Sequence, residues 1–208
     1  MGDALPRAAT LHSVIRPNDP ERALGRRDHV LGSIIASQPE RWTPQATEPP
    51  IWGLLRMVIA QQISTAAART ITARVAEAYP LLRNVQPSPR RVDPARLRAC
   101  GLSPRKAATL VTLVSRAPRA ISLVSRGASW EAALGDVKGV GPWTWSMFRI
   151  FVLKDPDVLP DGDLGLVRAV QTHYGADCDL QALGDRWRPF RSIACWYLWR
   201  SLGNAPLG

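Results

Sequence analysis

The sequence predicts an all-α fold. Period-2 alternation of apolar residues, the pattern of half-buried strands, is almost absent along the 208 residues. One kind of helix start recurs instead, in which a capping Asp or Ser is followed by proline, at Asp19-Pro20, Asp93-Pro94 and Ser103-Pro104. A chain of this length can form one domain or two small lobes around a buried core.

The N-terminal quarter is predicted to hold an arm, a helix and a linker. Residues 1–18 show no periodic pattern, and we expect an extended arm there. Residues 19–38 begin with an Asp-Pro-Glu cap, carry apolar side chains at helical spacing and stop before Pro39, which predicts one helix. Residues 41–50 are rich in proline and threonine, which is typical of a linker.

Two helices are expected next. Residues 51–62, IWGLLRMVIAQQ, are apolar on nearly every side, which is typical of a helix buried in the middle of a bundle. The following helix is rich in alanine, begins at Ser64 or Thr65 and runs to about Tyr79, before Pro80.

The remaining helices are predicted from caps and breakers. Cap signals indicate helices at 93–99 and 104–116, a separate segment from Pro118, and a helix that begins at Ser129. Further helices are expected at about 143–153, from Asp163 onward, and at about 185–202.

The chain is strongly basic and poor in cysteine. A net charge of +10 and a pI near 10.7 favour a polyanionic partner, and the spread of charge along the chain favours DNA over a membrane surface. Cys100, Cys178 and Cys195 lie far apart without a C-x-x-C pair, so we expect reduced thiols and neither a disulfide nor a zinc site. We find no signal-peptide core and no apolar run of about 18 residues, so a soluble, cytoplasmic protein is expected.

A glycine turn that opens a helix lies at 137–142, VKGVGP. Gly139 and Gly141 allow φ > 0 and carry no Cβ that would keep a ligand away. Pro142 suits the first helical position, so the free N–H groups and the positive dipole end of the next helix face the turn. This pattern predicts an anion site, with phosphate as the expected anion. A plain Gly-Pro loop between two helices is the alternative.

An acidic loop follows that helix. Residues 155–166, DPDVLPDGDLGL, contain four Asp, two Pro and two Gly in a strongly basic chain. Caps and turns can use one or two of these carboxylates, and Asp163 stands where it would cap the next helix. A catalytic carboxylate is the other interpretation of Asp163, and spacing alone leaves both open.

Five stretches resemble one known family. They are LGDVKGVGPWT at 134–144, PDGD at 160–163, AQQIS at 60–64, GLSPRKA at 101–107 and WRPFRSIA at 187–194. Together they look like the helix-hairpin-helix (HhH-GPD) DNA glycosylase superfamily, and they are most similar to its alkylation-repair branch, 3-methyladenine DNA glycosylase II. The resemblance covers about residues 50–203 in the right order.

The resemblance implies a two-lobed helical fold with the active site in the cleft between the lobes. Residues 51–153 would form the central lobe, including the helix-hairpin-helix. The segment 1–50 would pack with the C-terminal helices of 154–208, which include the catalytic loop. The N-terminal β domain of some relatives would be missing or vestigial, because only about fifty residues precede the match.

The resemblance also implies the residues that bind DNA and act on it. Asp163 would be the catalytic carboxylate. The hairpin would bind the DNA backbone through Lys138, Gly139, Val140, Gly141 and Thr144. Backbone carbonyls of Gly135, Val137 and Gly139 would hold a monovalent cation when DNA is bound. No side-chain metal site, iron–sulfur cluster or other cofactor is expected.

A turn and an aromatic pocket complete the implied site. The turn Gln61-Gln62-Ile63-Ser64 would push a side chain into the duplex where the flipped base has left, and Gln62 matches the wedge position. A simple helix–helix turn is the alternative. Trp199 matches a position that stacks on the extruded base. The base pocket would consist of Trp143, Trp145, Met147, Tyr197 and Trp199, although any of these could be core residues.

The implied activity is base excision repair of alkylated bases in damaged duplex DNA by a monomeric, monofunctional glycosylase. Relatives that also nick the strand have a lysine where this chain has Trp143, so we expect an abasic site as the product. Two alternatives stay open: a bifunctional glycosylase/lyase for oxidised bases, and a non-catalytic DNA-binding module. The sequence leaves open which alkylated or etheno base is preferred.

Overall fold

The computed structural model describes residues 19–43, 48–83 and 92–203, and the predicted arm at 1–18 lies outside these ranges. The first helices are α1 (Pro20–Arg27), α2 (His29–Ser37), α3 (Pro50–Ala60) and α4 (Thr65–Ala78), followed by a 3-10 turn at Pro80–Leu82. The others are α5 (Pro94–Ala99), α6 (Pro104–Val124), α7 (Trp130–Leu134), α8 (Pro142–Phe151), α9 (Leu164–Tyr174), α10 (Leu180–Trp187) and α11 (Arg191–Ser201). No strand occurs in the three described ranges, and the predicted all-α fold is confirmed.

Helix α3 forms the centre of one lobe. It packs against α4, α6 and α8, and nine of its eleven residues are buried. Each fully buried Leu or Ile side chain contributes about 1.5–3 kcal/mol, so this helix is held by packing on all sides. Gly53 lets the end of α8 approach closely, since a Cβ at this position would lie 2.5 Å from Val152 Cγ2. The prediction of a central buried helix is confirmed.

The second lobe brings the first two described helices together with the last three. Helix α1 packs against α2, α10 and α11, while α11 also packs against α2 and α9. This is the two-lobed arrangement that the resemblance implies. The lobe boundaries near residues 50 and 153 stay a prediction.

The single helix predicted at 19–38 is wrong, because the chain breaks at Asp28. Its backbone is extended, with φ −146° and ψ 102°, and its Oδ1 caps α2 by accepting from Leu31 N at 3.0 Å. Its Oδ2 accepts from Tyr174 Oη and Trp187 Nε1, each at 2.9 Å. The side chain is only 1% exposed, so these donors replace the water that a buried carboxylate loses. Burial and the Asp28 carboxylate raise the pKa of Tyr174.

Helix α6 is longer than predicted. The sequence pattern suggests a break near Pro118, but the helix runs for 21 residues with this proline inside it. Residues on both sides of the proline, including Val114, Ala117 and Ala120, are buried, and their packing offsets the lost backbone hydrogen bond. By length and composition alone α6 could cross a membrane, contrary to the expectation from sequence. Core helices meet the same criteria, and α6 packs against α3, α5 and α7.

The C-terminal helix predicted at 185–202 consists of two helices. Helix α10 ends at Trp187 and α11 begins at Arg191. Pro189 lies between them, and proline can neither donate a backbone hydrogen bond nor leave its predecessor in helical conformation. The break directs α11 across α9 and α2.

Candidate active site

An open cleft of about 760 Å³ lies where the two lobes meet. Its wall consists of the α3–α4 turn, the first residues of α6, the α7–α8 hairpin and the start of α9. The predicted site residues in this wall are Gln61, Gln62, Gly135, Val137, Lys138, Gly139, Val140, Gly141, Trp143, Thr144 and Asp163. A second cavity, of about 510 Å³ between α3 and α4, contains none of the predicted site residues.

The glycine turn of the hairpin is packed onto α6. Gly139 has φ +96°, and a Cβ there would lie 2.4 Å from Thr109 Oγ1. That hydroxyl donates to Lys138 O at 2.9 Å and so fixes the turn. The expectation of positive φ is confirmed for Gly139 but is wrong for Gly141, whose φ is −95°. A Cβ on Gly141 would meet no atom within 4 Å, because this residue faces the open cleft.

Helix α8 presents an open N-terminus to the cleft. Pro142 is at the start of the helix as predicted, and no side chain caps the preceding Gly141. The first backbone N–H groups of a helix have no internal partner, and they carry the positive end of the dipole. Lys138 is exposed on the turn beside them. This geometry suits a phosphate.

The position of the Asp163 carboxylate is compatible with both roles that its spacing leaves open, a helix cap and a catalytic group. Its Oδ1 caps α9 by accepting from Leu166 N at 2.7 Å. The same oxygen accepts from Trp199 Nε1 at 2.9 Å, and Oδ2 accepts from Trp143 Nε1 at 2.7 Å. Three donors from α8, α9 and α11 thus fix the carboxylate in the wall of the cleft. The sequence predicts Asp163, Trp143 and Trp199 as site residues but does not predict the hydrogen bonds that join them.

Gly165 allows the close approach of α9 to this group. A Cβ at Gly165 would lie 3.2 Å from Asp163 Oδ1 and 3.5 Å from Trp199 Cδ1. The first contact is tight enough to displace the carboxylate, whereas the second is an ordinary van der Waals distance. Larger residues at position 165 would therefore disturb the hydrogen bond between the carboxylate and the indole.

The predicted aromatic pocket divides into two sets. Trp143 is half-buried in the cleft wall. Trp199 is a core side chain behind that wall: it is 6% exposed, its ring centroid lies 5.9 Å from that of Phe151, and its Nε1 donates to Asp163. The other three predicted residues are core side chains as well. They are Trp145, which packs edge-on against Phe148, Met147, which is 3% exposed, and Tyr197, which is fully buried and donates to Glu21.

Helix geometry explains why the neighbours of the site tryptophans are core residues. Residues two apart on a helix point in nearly opposite directions. Trp145 therefore points away from the cleft when Trp143 faces it. In the same way Tyr197 lies on the side of α11 opposite Trp199, where its hydroxyl also accepts from Trp42 N at 3.2 Å.

The two glutamines of the α3–α4 turn have different environments. Gln62 is exposed and has φ +55°, a left-handed conformation that is rare for a residue with a side chain. Gln61 is half-buried, and its Nε2 donates to Gly139 O at 2.9 Å and to Thr144 Oγ1 at 2.7 Å. Ser64 caps α4 by accepting from Ala67 N. Gln61 therefore joins the turn to the hairpin, and Gln62 is the side chain free to reach a ligand.

Two of the three predicted cation ligands, the carbonyl oxygens of Val137 and Gly139, already accept hydrogen bonds. Gly139 O accepts from Gln61 and Val137 O accepts from Val140 N at 3.1 Å. A carbonyl oxygen has two lone pairs, so each retains one for a cation. Among the described residues no group of three His, Cys, Asp or Glu side chains is placed to hold a metal.

Several cleft residues were not predicted from the sequence. They are Ser103, Arg105, Lys106, Thr109, Asp136, Gly162, Leu164 and Gly165. Leu164 is the clearest case, since it is 82% exposed although it is apolar and follows Asp163 directly. The signal available for Lys106 is its place in the GLSPRKA stretch, which carries the resemblance without any role for the lysine.

Comparisons with known proteins identify the family of this chain. No family model matches the chain. The chain is 33% identical over 204 residues to a probable bifunctional transcriptional activator/DNA repair enzyme AlkA of Mycobacterium tuberculosis, covering 88% of this chain and 40% of the relative's length. It is 30% identical over 167 residues to DNA-3-methyladenine glycosylase 1 of Schizosaccharomyces pombe, covering 73% of this chain and 72% of that one.

A solved structure shares the fold. It is the S. pombe 3-methyladenine DNA glycosylase Mag1 in complex with abasic DNA, with a TM-score of 0.76, 25% identity, and coverage of 91% of this chain and 98% of that one. The fold and the hairpin beside a carboxylate define the class as helix-hairpin-helix DNA glycosylases. Within that class, the chain belongs to the family of DNA-3-methyladenine glycosylases.

Proposed function

We propose that this protein is a monofunctional DNA glycosylase of base excision repair. It would turn an alkylated base out of duplex DNA, hydrolyse the N-glycosidic bond and leave an abasic site. The observation that carries the proposal is the Asp163 carboxylate, which two indole N–H groups hold in the wall of the cleft that contains the hairpin. The complex of Mag1 with abasic DNA supports DNA as the partner.

The hairpin would grip the DNA backbone. The open N–H groups of α8 can donate to a phosphate, and the exposed Lys138 adds a positive charge next to them. The net charge of +10 would make the affinity strongly dependent on salt. A stacked base cannot be reached at its glycosidic bond, so it must be extruded at a cost of a few kcal/mol. Gln62, which is exposed on its turn, would fill the space that the extruded base leaves in the duplex.

Asp163 would act as a fixed negative charge. An ionised carboxylate has about four lone-pair positions, and Trp143, Trp199 and Leu166 N occupy three of them here. One position on Oδ2 stays available to a water molecule or to the sugar. Cleavage of the bond passes through an oxocarbenium-like sugar, which a preorganised anion stabilises. An alkylated base with a positive charge is already a good leaving group and would be attracted to the Trp143 ring.

Three observations support hydrolysis without strand nicking. The position of the nicking lysine in related enzymes is Trp143 here, whose indole is bound to Asp163. Lys138 is exposed on the turn, and Lys106 Nζ donates to two backbone carbonyls. The proposal includes a monomer that acts on chromosomal DNA in the cytoplasm without a cofactor.

Base release followed by alkali tests the reaction type. Wild-type protein is expected to free a methylated purine or ethenoadenine from a duplex oligonucleotide, with strand breaks appearing only after hot alkali. The reason is that an abasic site is stable at neutral pH and breaks in alkali. Denaturing gels of treated and untreated halves of each sample measure this. Breaks without alkali would contradict the proposal, and tight binding without release would favour the DNA-binding module.

Trp143→Phe tests the indole that holds the carboxylate. The variant keeps a ring in the cleft wall but removes the N–H that donates to Asp163 Oδ2. Hydrogen bonds to charged groups contribute about 1.5–3 kcal/mol, so single-turnover base release should slow by about 10- to 100-fold. Trp130→Phe is the matched control, since this indole packs against Phe148 instead. Equal rates for the two variants would count against a role for the Trp143 N–H.

A further inference from the structure

Lys106 lies beneath the turn that joins α3 to α4. Its Nζ donates to Ile59 O at 2.7 Å and to Gln61 O at 2.5 Å. Carbonyls at the end of a helix have no partner within the helix, and they carry the negative end of its dipole. An ammonium group can donate hydrogen bonds to these carbonyls, and its positive charge is favourable at the negative end of the dipole. Burial of this group lowers the pKa of Lys106.

The carbonyl of Gln61 belongs to the peptide that leads into Gln62. Gln62 has a left-handed backbone, which costs a residue with a side chain about 1–2 kcal/mol. The turn is held from two sides, by the Lys106 ammonium on this peptide and by the Gln61 amide on the hairpin. Gln62 is exposed as a result, and the apolar Ile63 next to it is 37% exposed.

We propose that Lys106 is a positioning residue, which holds the Gln61–Ser64 turn in the shape that inserts Gln62 into the duplex when a base is extruded. This inference rests on the proposed function. It adds that the Lys106 ammonium fixes the conformation of the turn that carries Gln62 before DNA binds. A preformed turn loses no conformational freedom when it enters the stack, so binding energy can serve to extrude the base. Removal of the ammonium therefore slows extrusion and leaves the cleavage chemistry at Asp163 intact.

The test compares two duplexes in single-turnover base release. One carries the alkylated or etheno base opposite thymine, and the other carries it opposite a tetrahydrofuran abasic analogue, where extrusion costs less. Lys106→Met is expected to slow release from the paired duplex by about 10- to 100-fold, and from the unpaired duplex by less than about 3-fold. Arg119→Met removes the same charge from an exposed position on α6 and should change neither rate. Equal slowing on both duplexes by Lys106→Met would overturn the proposal.

Two further measurements distinguish a positioning lysine from a nucleophilic one. A 2-aminopurine next to the lesion brightens when the stack opens, and Lys106→Met should reduce this rise without any chemistry. If wild-type protein releases no base, the proposed function is refuted. The fluorescence measurement then tests the positioning role of Lys106 by itself, because it needs no base release. A borohydride-trapped protein–DNA adduct that Lys106→Met abolishes would overturn the proposal in favour of a lysine nucleophile. If Lys106→Met does not fold, Lys106→Arg replaces it, with smaller slowing expected on the paired duplex only.

Discussion

Asp163→Asn is expected to reduce single-turnover base release by about 100- to 1,000-fold while duplex binding stays within about 3-fold of wild type. The substitution removes the negative charge beside the sugar but keeps one oxygen. Asn caps helices as well as Asp does, so the bond from Leu166 N to the side-chain oxygen can persist. The hairpin, which would bind the DNA backbone, is unchanged. Base release and fluorescence anisotropy on the same lesion duplex measure the two quantities.

The matched control for this variant is Asp161→Asn. Asp161 lies in the same loop, is exposed and undergoes the same change of charge. We expect its base release to stay near the wild-type rate. A comparable loss in both variants would mean that the loop needs negative charge in general. Full activity of Asp163→Asn would leave only the helix cap as the role of this carboxylate.

Denaturation of Asp163→Asn should accompany the kinetics. When the amide oxygen caps α9, the amide NH2 replaces Oδ2 and faces the Trp143 N–H, so two donors meet. This conflict costs about 1–3 kcal/mol of folding free energy. A folded variant with slow chemistry isolates the role of the charge, because the lost stability alone does not affect the rate of folded molecules.

The sequence predicts the parts of the site that depend on local patterns. The glycine turn, the proline at the start of α8 and the carboxylate before α9 each follow from a few adjacent residues. The structure brings the turn, the first turn of α8 and the carboxylate together at one cleft. The hydrogen bonds from Trp143 and Trp199 to Asp163 depend on how α11 crosses α8 and α9. No spacing in the sequence encodes that crossing, so the resemblance could suggest the tryptophans but not their contact with the carboxylate.

The errors of prediction have the same origin. Tyr197 and Trp145 lie two positions from Trp199 and Trp143 in sequence, but the helical period turns them towards the core. The continuous helix predicted at 19–38 follows the apolar spacing correctly on both sides of Asp28. What the pattern does not reveal is the pair of donors, Tyr174 and Trp187, that lie more than a hundred residues away and bind Asp28 where the chain breaks.

Asp28→Ala is expected to lower the free energy of unfolding by about 3–5 kcal/mol, from the unsatisfied donors and the lost cap together. The variant leaves Tyr174 Oη and Trp187 Nε1 without their acceptor and removes the cap of α2. Asp19→Ala is the matched control, because within the described ranges the Asp19 carboxylate accepts only from Glu21 N, where it caps α1. Its loss should cost only about 0.5–2 kcal/mol. Urea denaturation of the two variants measures the difference.

The consequence of Asp28→Ala extends to the active site through α9. This helix begins after Asp163 and ends at Tyr174, so one carboxylate caps its start and the other binds the hydroxyl of its last residue. Loss of Asp28 frees the far end of α9 from the junction between α1 and α2. We therefore expect folded Asp28→Ala to release base more slowly than wild type, and Tyr174→Phe to reproduce a smaller part of both effects. Equal stability losses for the Asp28 and Asp19 variants would show that Asp28 is only a helix cap.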